Sequence, residues 1–168
     1  RAIRLYSEVL DGSNAVPAQT RAATLLAHQK DDLRGALRLL DEFAEASPSN
    51  AVEVLSAKGQ LLASVEKYDE ALQLYDTVIS YHPDDERAAL GRSELLLRMG
   101  RLDEALESYA DVAERWPKSA MALNAYGYTL ADRTDRYREP EKLIRKALRY
   151  DPTSPAIIDS LGWVLFKL

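Results

Sequence analysis

Residues able to do chemistry are sparse in this chain. There are two histidines and no cysteines, so thiol catalysis, disulfides and Cys-ligated metal are excluded. His28 lies near Asp31 and Asp32, a set that could be written as a metal cluster, but a His and two acids at a helix end read first as a solvated turn. His82 stands beside Pro83 with no partner in sight along the sequence. The acidic groups Asp84–Glu86 and Asp103–Glu104 fall at helix starts, where carboxylates cap free amides and oppose the macrodipole. That role suits them better than paired acid–base catalysis. No G-x-S-x-G, P-loop, H-E-x-x-H or G-x-G-x-x-G occurs. The sequence therefore reads as a non-enzyme with no catalytic residue, cofactor or metal site.

The elements that would position any site are repeats. Val52–Asp85 and Glu86–Ser119 align without a gap. They share Asp-Glu-Ala-Leu (Asp69–Leu72, Asp103–Leu106), an aromatic four residues after the Ala (Tyr75, Tyr109) and a closing proline. Pro83 and Pro117 are 34 residues apart. That period, with A-x3-aromatic and the terminal Pro, is the pattern of the tetratricopeptide repeat (TPR), and the chain resembles that superfamily. The resemblance implies an all-α, right-handed superhelix, an α-α solenoid of about ten antiparallel helices with the first helix of each pair on the concave wall.

In the same register, residues 1–14 are an orphan second helix, with Ala2, Tyr6 and Val9 on its core face. Repeats follow at 17–50, 52–85, 86–119 and 120–154, and 155–168 is a lone first helix. Gly59, Ser93, Ala71 and Ala105 are the small residues that let two helices approach. In the fourth repeat the turn Asp132–Arg136 is one residue longer and Pro140 replaces the usual Ala. Proline is tolerated only in a first helical turn, so that helix should begin at about Glu139.

Composition narrows the partners. A net charge of −5 argues against nucleic acid, which asks for a basic face. No run reaches the ~18 apolar residues of a membrane span. Arg1 is not a natural start, so membrane attachment is expected only through a lipid anchor outside this stretch. The apolar helices at the two ends, residues 1–11 and 155–168, are expected to self-associate.

The family's groove positions, transferred onto this numbering, are Arg21 and Leu25, then Gln60, then Arg87, Leu90, Glu94 and Arg98. Met121, Asn124, Tyr128 and Asp132 follow, and the last helix adds Asp159, Trp163 and Phe166. Apolar anchors in a polar surround suit a bound peptide or helix. Trp163 and Phe166 would equally suit packing on a further helix. The family's carboxylate clamp for chaperone tails is not matched, since Arg21/Leu25, Ser56/Gln60 and Leu90/Glu94 replace its Lys/Asn pairs.

The run ALNAYGYTLADRTDRY (Ala122–Tyr137), with ALRYDPTSPAIIDSLGWVLFKL (Ala147–Leu168), is more specific. It is similar to the C-terminal part of large TPR lipoproteins of Gram-negative bacteria. In pseudomonads such an outer-membrane lipoprotein binds and activates a periplasmic carboxyl-terminal processing protease. The resemblance implies an adaptor on the periplasmic side of the outer membrane that captures a protease, its substrates, or both. The composition alone fits the cytoplasm as well. The alternative expectation is a structural spacer or oligomerisation segment of a longer solenoid.

Overall fold

The computed structural model, which describes residues 1–168, contains ten α-helices and no strand. The helices are α1 (Ala2–Ser7), α2 (Ala15–Lys30), α3 (Leu33–Ala46), α4 (Ala51–Ser64) and α5 (Tyr68–Tyr81), followed by α6 (Glu86–Arg98), α7 (Leu102–Arg115), α8 (Ala120–Arg133), α9 (Arg138–Tyr150) and α10 (Pro155–Lys167). No helix is long and apolar enough to cross a membrane.

Side-chain caps set several starts. Asp32 accepts the Gly35 amide at 2.8 Å, Asp85 that of Ala88 at 2.9 Å, and Ser119 that of Ala122 at 3.1 Å. Each satisfies one of the orphan donors of a first turn. The ends are reversals through left-handed residues: Asp31 (φ 53°), Glu66 (φ 61°) and Gly100 (φ 75°). After α4 and α6 the backbone folds onto the last turn, Lys67 N–H donating to Leu62 O and Arg101 N–H to Leu96 O, the Schellman pattern of helix C-termini.

Pro140 is the third residue of α9 and is buried, inside the first turn, where its missing N–H is not needed. The longer turn before it is tied by the Thr134 hydroxyl, which donates to Leu130 O at 2.6 Å and accepts the Arg136 amide at 3.1 Å.

Two stretches differ from expectation. The first helix stops at Ser7 instead of running to residue 14. Gln19, 1% exposed, donates its side-chain amide to Ser7 O at 3.1 Å and Val9 O at 2.8 Å. Those carbonyls are drawn to the side of α2, and Gly12 (φ 83°) turns the chain into it. For the same reason α2 begins at Ala15 and not at Pro17, which becomes its third residue.

By packing, the chain divides into two compact units, Arg1–Gly91 and Arg92–Leu168, with the division inside α6. In the first, Ala15, Ala23, Ala36, Leu40, Phe43, Val54 and Leu61 form a core between α2, α3 and α4. Tyr75 of α5, 2% exposed, lies against Gly59 and Gly91, so closely that a Cβ at either would stand within 3 Å of its ring. In the second unit Leu123, Ala131, Ile144, Ala147, Ile157 and Val164 join α8, α9 and α10. Alanines occupy the tightest helix crossings: Ala36, Ala71, Ala105 and Ala147 are all at 0% exposure.

Candidate functional site

A cleft lies within each unit. That of the first unit holds about 520 Å³ and lies along α2, α4 and the start of α6. Its walls mix polar and apolar surface about equally. Thr20 and Thr24 donate their hydroxyls to backbone carbonyls one turn back, both at 2.8 Å. Arg87 approaches Glu53 at 3.9 Å, and Arg21, Gln60 and Asp85 complete the polar lining. Ser56, only 8% exposed, has a hydroxyl with no hydrogen-bond partner.

The cleft of the second unit holds about 620 Å³ between α8 and α10. Tyr128 and Asp132 come from α8, one turn apart; Ile158, Asp159, Gly162, Trp163 and Phe166 come from α10. Large apolar groups are presented openly here: Tyr128 is 41% exposed, Ile158 51% and Phe166 80%. Trp163 is half-buried, packs against the unit's core and stacks on Phe166 with ring centroids 6.1 Å apart. Lys167 places its ammonium 4.7 Å from the Trp163 ring centroid, a cation–π distance. Gly162 keeps the floor open, with nothing within 4 Å of where a Cβ would stand. The indole Nε1 of Trp163 and the Oδ1 of Asn124, one turn before Tyr128, are buried without partners.

Of the groove positions expected from sequence, Arg21, Gln60 and Arg87 line the first cleft, and Tyr128, Asp132, Asp159, Trp163 and Phe166 line the second. Glu94 and Arg98 line neither and pair with each other at 2.7 Å. Met121 is 54% exposed but stands outside the second cleft, and Leu25 is half-buried outside the first. Leu90 lines neither cleft and is buried at 9% exposure. The cause is that α6 buries more than one face, with Ala88, Ala89, Leu95 and Leu96 also inside. The suggested metal cluster is otherwise engaged, since His28 bonds the Ser64 hydroxyl at 2.9 Å while Asp32 caps α3. Ile158 and Gly162 line the second cleft although neither is among the transferred groove positions. Their spacing of four beside Asp159 and Trp163 was the available signal for a second stripe on α10.

The buried phenol of Tyr109 is pushed up to about 12, chiefly by burial and then by the charge of Glu94. Burial likewise raises Tyr126. Both belong to the packing of the second unit.

This arrangement, helical hairpins closed over alanine and glycine with clefts along the first helices, is that of a repeat scaffold. The sequence matches the tetratricopeptide repeat family over residues 56–120 and 92–155, more than half of the chain, and the chain belongs to that family. A TPR repeat-containing protein of Pseudomonas aeruginosa is 34% identical over 99% of the chain, which spans only 28% of that relative. Among solved structures, the TPR protein YrrB, described as having an unusual peptide-binding site, superposes with a TM-score of 0.60 at 22% identity, covering 95% of this chain and 81% of its own. The first TPR domain of Spaghetti, bound to an HSP90 peptide, has a TM-score of 0.60 at 18% identity, covering 68% of this chain and 90% of its own.

Proposed function

We propose that the chain is a non-enzymatic interaction scaffold that holds a segment of a partner protein in the cleft between α8 and α10. The observation that carries this reading is the open set of large apolar side chains there, Tyr128, Ile158 and Phe166, beside the half-buried Trp163. Clustered apolar surface with a polar rim marks interaction sites. The family supports it, as do solved relatives whose descriptions name peptides.

The finer reading is an adaptor on the periplasmic side of a Gram-negative outer membrane, whose partner is a carboxyl-terminal processing protease or its substrates. Its support is the resemblance over Ala122–Tyr137 and Ala147–Leu168, together with the Pseudomonas aeruginosa relative. Calorimetric titration of the chain with the purified protease tests it. Tyr128→Ala and Phe166→Ala, both at exposed positions, should each weaken binding by about 2 kcal/mol, as aromatic anchors do. Glu86→Ala, away from the cleft, should change little. No heat of binding would remove the protease from the account; binding indifferent to both aromatics would remove the cleft.

A second reading, a spacer that associates through its ends, is favoured by the exposure of Leu5, Leu10, Leu165 and Leu168. Light scattering over rising concentration decides it. A mass that stays monomeric ends that reading.

A further inference from the structure

We propose that the α8–α10 cleft selects a partner segment in which a lysine or arginine stands beside a bulky apolar residue. The cation sits toward Asp159, and the apolar side chain lies on the rings of Tyr128, Trp163 and Phe166. This rests on the scaffold reading and names the chemistry of what that cleft accepts.

Charge selects the sign. Both charged side chains that line the cleft are carboxylates. Arg133 reaches Asp132 at 2.9 Å and Lys167 covers the Trp163 ring, but neither belongs to the lining. Asp159 is exposed and makes no ion pair. An acidic segment would meet the like charge of Asp159, the lining carboxylate not already paired, beside the aromatic rings of Tyr128 and Phe166. A basic one meets the opposite charge and rings that attract cations, while its methylene stem covers apolar surface. Lys167 over Trp163 shows within the chain that this ring takes an ammonium. The net charge of −5 attracts a basic segment from a distance.

The cleft of the first unit offers no such preference, because Arg21 and Arg87 are balanced there by Glu53 and Asp85.

The test is fluorescence anisotropy of the intact chain against three labelled peptides, Leu-X-Leu in Gly-Ser flanks, with X as lysine, norleucine or glutamate. The lysine peptide should bind at least about tenfold more tightly than the glutamate peptide, and the gap should narrow in high salt. Asp159→Lys, a substitution on the open surface of α10, should reverse the order of the lysine and glutamate peptides. Equal affinities, a preference for glutamate, an order unmoved by Asp159→Lys, or no binding of any peptide would each overturn the proposal. A chain that binds the protease through its aromatics yet ranks the peptides equally loses this proposal alone and keeps the scaffold reading.

Discussion

Gly127 and Gly162 hold the same place in consecutive repeats, yet the same substitution should have opposite effects at the two. At Gly127 a Cβ would stand 2.8 Å from Ile144 Cγ1, 3.2 Å from Leu143 Cβ and 3.2 Å from the carbonyl oxygen of Pro140. Only the first of these can yield by a rotamer change, and Ile144 is fully buried. Relief requires α8 and α9 to separate, an overpacking cost of roughly 1–3 kcal/mol. Alanine recovers up to about 1 kcal/mol of helix propensity. Gly127→Ala should therefore lose roughly 1 kcal/mol net, and up to about 2. At Gly162 nothing lies within 4 Å, so Gly162→Ala keeps the propensity gain of up to about 1 kcal/mol. The expected gap of roughly 2 kcal/mol corresponds to about 4–8 °C in Tm for a chain of this size. Urea and thermal melts followed by far-UV circular dichroism measure it. A Gly127→Ala protein as stable as the wild type, or more stable than Gly162→Ala, would refute the close α8–α9 contact.

Three further outcomes are expected. Ala71→Leu and Ala105→Leu, at positions with 0% exposure, should each cost roughly 1–3 kcal/mol in urea melts; an unchanged midpoint would show that the hairpin registers are wrong. Glu66→Gly should stabilise by roughly 0.5–1 kcal/mol, because Glu66 holds φ 61° where glycine carries no Cβ penalty, and a loss of stability would contradict the reversal after α4. Tyr109 has a folded-state pKa of about 12, above the ordinary phenol value near 10. Its contribution is thus fully present below pH about 10 and lost as pH rises toward 12; a Tyr109→Phe protein with the same alkaline stability profile would speak against that burial.

The repeat frame was legible because its determinants are local and periodic. Ala71, Ala105 and Gly59 announce helix crossings by size alone, and Pro140 dates the start of α9 to within a residue. What escaped depends on groups distant in sequence. Nothing in residues 1–14 shows that Gln19 claims the Ser7 and Val9 carbonyls and ends α1 early. Leu90 sits at a groove position by count, but the burial of several faces of α6 turns it inward. The second cleft was half visible. The stripe Asp159–Trp163–Phe166 follows from helical spacing, whereas the openness around Gly162 and the unpaired indole Nε1 exist only once α8 and α10 are packed.

The central claim is that a partner occupies the face shared by α8 and α10. Amide hydrogen exchange of the chain, read by mass spectrometry with and without saturating purified protease, addresses it directly. The account predicts added protection in peptides covering residues 124–132 and 158–166. Protection confined to α5, α7 and α9, with those two stretches unchanged, would contradict it.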